Sequence, residues 1–135
     1  MACPAPGSVT LCDQGLGAAA CGIPGDATSY FFDFDLAQKV PPNDASADLS
    51  KGNADCCSWN LWNGATQVDT GISITNFDTV TCNASDGRTY TGNSVGYYQP
   101  NSTVICLRTA SGLYFKYKGQ DSCCGEITID YACGS

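Results

Sequence analysis

Apolar and polar residues alternate with a period of two along several stretches of this chain, which is the signature of β-strands with one buried face. Tyr30, Phe32, Phe34 and Leu36 fall on one side of a predicted strand over 30–36, with Asp33 and Asp35 on the other. In the last third, Val104 to Thr109 and Leu113 to Lys118 flank Ala110-Ser111-Gly112 and predict a hairpin. On its second arm Leu113, Phe115 and Tyr117 make one face, and Tyr114, Lys116 and Lys118 the other. Glu126 to Ala132 is a further strand with Ile127, Ile129 and Tyr131 together. Thr79 to Asn83 and Arg88 to Thr91 flank Ser85-Asp86-Gly87, whose Asp-Gly pair suits a tight turn between strands. The last third thus predicts an antiparallel meander.

The remaining pattern is weaker. Asn53 caps a predicted helix through Asn63, with Gly64 as its stop; Ala54, Cys57 and Leu61 share one side, and Cys56 lies beside Asn60 on another. Leu11 to Cys21 is a second short helix between Thr10 and Gly22, weakened by Gly15 and Gly17. Residues 37–52 are expected to be a connector, broken at Pro41-Pro42-Asn43-Asp44. The segment 65–77 is ambiguous, although Ile72 and Ile74 alternate like a brief strand. These elements predict an α+β fold, one domain over 1–135: an antiparallel sheet of about five strands packed against one or two short helices, as a disulfide-stapled α/β sandwich.

Composition adds the cross-links. Ten cysteines occur in 135 residues, and there is no histidine. The missing imidazole removes every mechanism that needs histidine as base, shuttle or metal ligand. Cys3, Cys12, Cys21, Cys56, Cys57, Cys82, Cys106, Cys123, Cys124 and Cys133 are expected to form disulfides, with pairing open. Adjacent cysteines rarely bridge each other, so Cys56-Cys57 and Cys123-Cys124 each send two staples to different places. The doublets and Cys133 are expected to tie the C-terminal region to the central helix. With no C-x-x-C spacing and no histidine, neither a metal nor a cofactor is expected.

The net charge of −7, with only six basic residues, argues against nucleic acid and anionic membrane surfaces as partners. No apolar run approaches the roughly 20 residues of a membrane span, so no membrane insertion is expected. The cysteines predict a secreted, extracellular protein, with Met1 standing where a leader was removed ahead of Cys3. Two sequons, Asn83-Ala84-Ser85 and Asn101-Ser102-Thr103, mark Asn83 and Asn101 as glycosylation candidates. Sheet edges left open by such a fold favour a homo-oligomer through a sheet edge or face.

Two segments are candidate binding surfaces. Trp59-Asn60-Leu61-Trp62-Asn63 places flat aromatic rings beside amides, and an amide supplies both donor and acceptor to sugar hydroxyls. Three positions apart on a helix, Trp59 and Trp62 would share one face, which equally suits a role in the core. The second segment is the polar loop around Tyr97 and Tyr98, adjacent residues that face opposite ways on extended chain. Catalysis by paired carboxylates would call on Asp33 with Asp35, or on pairs from Asp86, Asp121, Glu126 and Asp130. No pair stands out, and the chain is expected not to be an enzyme.

Asp55-Cys56-Cys57-Ser58-Trp59, the Tyr97-Tyr98 loop and the closing Ser122-Cys123-Cys124-Gly125-Glu126-Ile127-Thr128-Ile129-Asp130-Tyr131-Ala132-Cys133 carry a resemblance. With length, acidity and cysteine number, they resemble the small cysteine-rich lectins of mushroom-forming fungi, the antiviral glycan-binding type found in the ink-cap Coprinus comatus. That resemblance implies a single-domain α/β sandwich, sheet-mediated oligomers and binding of fucosylated or GalNAc-containing glycans on glycoproteins or cell surfaces. A secreted toxin or effector, resembling the disulfide-rich killer toxins of smut fungi, is the alternative; a small secreted glycoside hydrolase is the third.

Overall fold

The structure is a computed structural model and describes residues 3–12, 31–42, 44–51, 58–92, 96–97, 102–120 and 127–134. Two antiparallel five-stranded sheets pack face to face. The first contains β1 (Gly7–Leu11), β6 (Thr66–Ser73), β8 (Thr103–Arg108), β9 (Tyr114–Gly119) and β10 (Ile127–Cys133), in the order β1-β10-β9-β8-β6. The second contains β2 (Phe31–Asp33), β3 (Gln38–Val40), β4 (Leu49–Lys51), β5 (Ser58–Leu61) and β7 (Gly96–Tyr97), in the order β3-β2-β4-β5-β7.

The expected α+β class is therefore corrected. The fold is mostly β, and no helix of seven or more residues occurs among the described residues. The described part of the helix expected over 53–63 is strand β5 followed by a turn. Leu11, expected to open the first helix, is the last residue of β1, and residues 13–21 lie outside the described residues. The connector expected over 37–52 supplies β3 and β4. In place of one sheet against helices, two sheets supply each other's apolar cover.

The meander is present where alternation predicted it. β8 and β9 pair through Ile105↔Tyr117 and Leu107↔Phe115, and β9 pairs β10 through Tyr131↔Tyr117. The turn closes with Thr109 N–H to the Leu113 carbonyl at 2.9 Å, and Gly112 takes the positive φ of 95° that a side chain would resist. Phe115, Tyr117, Ile127 and Ile129 are fully buried between the sheets. Aromatic pairs cross the gap: Phe32 to Tyr131 at 5.2 Å, Phe34 to Phe115 at 5.2 Å and Trp59 to Tyr117 at 5.9 Å between ring centroids.

The strand expected over 30–36 is shorter than its alternation. Its described part ends at Asp33, and residues 34–37 turn back into β3. Leu36, expected on the core face, sits on this turn 61% exposed. The expected pairing of Thr79–Asn83 with Arg88–Thr91 is also absent. After β6, Ile74–Thr79 forms a 3-10 helix, and the chain through Tyr90 lies over the outer face of the first sheet. Phe77, Val80 and Cys82 pack there on Val104 and Cys106. Lys116 points into this layer, donating to the Phe77 carbonyl at 2.6 Å and the Val80 carbonyl at 2.9 Å, with Nζ 4.7 Å from the Phe77 ring centre.

Two disulfides are described. Cys3 joins Cys133, and Cys82 joins Cys106. Cys12 is also disulfide-bonded. Cys133 was expected to reach a central helix; it instead bridges beside the β1–β10 pair, because β10 runs next to β1 in the register Gly7↔Tyr131. Cys21, Cys56, Cys57, Cys123 and Cys124 lie outside the described residues.

Candidate functional site

Strand geometry separates the two tryptophans. Residues three apart on a strand face opposite sides, whereas on a helix they share one. Trp59 and Leu61 of β5 enter the core between the sheets, and Trp59 is 0% exposed. Trp62 emerges on the other side and packs on Phe31, with ring centroids 5.1 Å apart. Trp59 thus takes the core role, and Trp62 remains half-buried at the surface.

The register of the second sheet builds what surrounds Trp62. Phe31 pairs with Val40 and with Ser50, and Ser50 pairs with Asn60. These residues form one row across the outer face. The Trp62 indole donates Nε1–H to Ser50 Oγ at 2.8 Å, and its backbone N–H donates to the Asp48 carbonyl at 3.0 Å. The ring is therefore fixed by two contacts and its backbone by a third, which lowers the side-chain entropy lost when a ligand packs against it. Asn60 is half-buried in the same row, and its amide makes no hydrogen bond among the described residues.

Asn63 has a different task. Asn63 and Gly64 take φ of 53° and 86°, and Ala65 N–H donates to the Trp62 carbonyl at 3.1 Å. This is a tight turn with both central residues left-handed, for which Asn-Gly is the favoured pair. The Asn63 amide donates to the carbonyls of Asp44 and Ala47, both at 2.9 Å. It thus ties the 44–47 loop under Trp62 and is occupied structurally. The turn carries the chain from β5 in one sheet to β6 in the other.

Tyr97 lies in β7 at the edge of the second sheet, where the backbone register pairs it with Ser58. Tyr98 and Asn101 lie outside the described residues. Asp33 and Asp35 do not share a strand face, since Asp35 sits in the 34–37 turn. Its carboxylate accepts from the hydroxyls of Thr109 at 2.8 Å and Ser111 at 2.9 Å, holding that turn to the β8–β9 turn.

Asp48 carries no signal in the residue pattern that marks it as a site. Its Oδ2 accepts the Phe34 N–H at 2.8 Å, and it is 4% exposed. Burial pushes its carboxyl up to about 7, the Phe34 hydrogen bond opposes this, and the charges of Asp35 and Asp33 add to it. Asp33 is 1% exposed; burial raises its carboxyl too, although Oδ1 accepts from the Leu36 and Asp35 amides. These buried carboxyls hold a turn and lie away from solvent, whereas a glycosidase acid and base must reach a substrate. Among the described residues no pocket is present, and no group of three or more acidic or cysteine side chains could hold a metal ion.

The candidate site is thus the half-buried pair Trp62 and Asn60 on the outer side of the second sheet, where Phe31, Val40, Ala47 and Ser50 around them are buried. Comparisons with protein-family models, curated proteins and solved structures match nothing. The chemistry of the site stands on its own residues: an anchored indole, the Ser50 hydroxyl that holds it, and an amide at Asn60 that makes no hydrogen bond among the described residues.

Proposed function

We propose that this chain is a secreted, non-catalytic carbohydrate-binding protein that uses the outer face of its second sheet around Trp62 and Asn60. The observation that carries this reading is the anchored, half-buried Trp62 ring beside the Asn60 amide, which makes no hydrogen bond among the described residues. A sugar offers such a surface two matching features. Its C–H face packs on an aromatic ring, and its vicinal hydroxyls exchange hydrogen bonds with an amide. The resemblance to mushroom lectins narrows the ligands to fucosylated or GalNAc-containing glycans. The disulfides Cys3–Cys133 and Cys82–Cys106 are compatible with an extracellular protein. Among the described residues no helix is long and apolar enough to cross a membrane.

A single shallow sugar site binds weakly, so useful affinity at a cell surface requires several sites on one assembly. Homo-oligomerisation through the open edges or outer face of a sheet would supply them. The test is a glycan array probed with the oxidised protein, alongside Trp62→Ala and Asn60→Ala. Binding of a fucosylated or GalNAc-bearing subset, lost at least tenfold in Trp62→Ala with the fold retained, is the expected result. Silence of the folded wild-type protein across the array overturns the reading.

A further inference from the structure

Asn83 opens a four-residue turn over the outer face of the first sheet. Asp86 N–H donates to the Asn83 carbonyl at 3.2 Å, and Asn83 Oδ1 accepts the Ser85 N–H at 2.8 Å. The side-chain oxygen is thus spent inside the turn. Among the described residues the Nδ2 of Asn83 makes no hydrogen bond, so a group attached there displaces none. Asn63 is the opposite case, because both hydrogens of its amide serve backbone carbonyls.

The surroundings are open. Ala84, Ser85 and Gly87 are exposed, and Gly87 takes a φ of 75° at the end of the turn. The preceding residue is rigidly held: Cys82 is bonded to Cys106, and its N–H donates to the Gly134 carbonyl at 2.8 Å. Beyond the turn, Asp86 accepts from Tyr90 at 2.7 Å and pairs with Arg88 at 3.1 Å. The acceptor triplet Asn83-Ala84-Ser85 therefore projects from a braced base.

From this placement we propose that Asn83 is an N-glycosylation acceptor, and that its glycan covers the side of the sandwich opposite Trp62. A bond forms between Asn83 Nδ2 and the anomeric carbon of an oligosaccharide. The bond from that carbon to the terminal phosphate oxygen of a polyprenyl-pyrophosphate carrier breaks, polyprenyl pyrophosphate leaves intact with the bonding electron pair, and the amide gives up one proton. The glycan then shields the 74–90 layer, which packs on the outer face of the first sheet, on the side away from Phe31 and Trp62. The proposal needs passage through a secretory compartment but does not depend on the sugar-binding reading.

The test is secretion of the full chain from a eukaryotic host, then peptide N-glycosidase digestion in heavy-oxygen water and peptide mass mapping. The expected result is a downward mass shift of the intact chain and heavy-oxygen aspartate at position 83. Ser85→Ala removes the acceptor hydroxyl but keeps the Ser85 N–H bond, so it is expected to be secreted, to melt like the enzymatically deglycosylated wild type, and to lose the label at Asn83. Unlabelled Asn83 in the secreted wild type overturns the proposal, whether or not Asn101 carries a glycan. Retention of the label in Ser85→Ala overturns it as well.

Discussion

The side-chain Oδ2 of Asp48 lies 2.8 Å from the backbone nitrogen of Phe34, joining the entry to β4 with the turn that follows β2. The backbone of Asp48 extends the link in both directions. Its N–H donates to the Phe32 carbonyl, and its carbonyl accepts from Trp62. One acidic residue thus connects the turn at 34–37 to the aromatic platform on the outer face.

Stability is expected to depend on the proton of Asp48. Its carboxyl is raised from 3.8 to about 7 in the fold, so between those values the native state holds a proton that the unfolded chain has released. Stability is then greatest near pH 4, falls as pH rises towards about 7, and levels off above it. Asp33, also raised, acts in the same direction. Asp44 and Asp86 are lowered and act oppositely, their contributions being lost below about pH 4. Urea unfolding of Asp48→Asn is expected to give a flatter profile between pH 4 and 7 than wild type. Equal slopes in the two proteins would count against this account.

The two tryptophans are expected to separate stability from binding. Trp59→Ala empties a fully buried site against Tyr117 and is expected to cost about 3–5 kcal/mol. Trp62→Ala loses the Phe31 contact and a single side-chain hydrogen bond, and is expected to cost about 1–2 kcal/mol. Denaturant midpoints measured side by side check the order. A Trp62→Ala loss as large as that of Trp59→Ala would show that Trp62 is a core residue.

Lys116 is expected to be a local clamp. Lys116→Met keeps the aliphatic stem but removes both donors to the Phe77 and Val80 carbonyls. The expected loss is about 1.5–3 kcal/mol, with faster amide exchange confined to the layer around residues 77–80. Exchange that accelerates equally across β8 and β9 would contradict a local role.

Much of the first sheet was legible because its strands are long enough to show a period. Phe115 and Tyr117 alternate with Tyr114, Lys116 and Lys118 over five residues, and Ala110-Ser111-Gly112 marks the turn. The second sheet was not, because β2, β3 and β4 have only three residues each. Three residues cannot distinguish alternation from chance, and Phe31, Phe32 and Asp33 are all buried. In β5 the strand signal was present as Trp59-Asn60-Leu61, followed by the Asn63-Gly64 turn pair. A competing helical spacing of Ala54, Cys57 and Leu61 concealed it. The Asp48 carboxyl and the Lys116 ammonium were invisible for another reason. Charged residues ordinarily indicate solvent, and these two are held inside by backbone groups from distant segments.

The Cys3–Cys133 bridge gives the polypeptide the connectivity of a ring. A protease that severs any one peptide bond between those cysteines produces new ends but leaves the molecule in one covalent piece. Release of a fragment then demands a second cut or a reductant, so the folded protein can be nicked at a loop and persist.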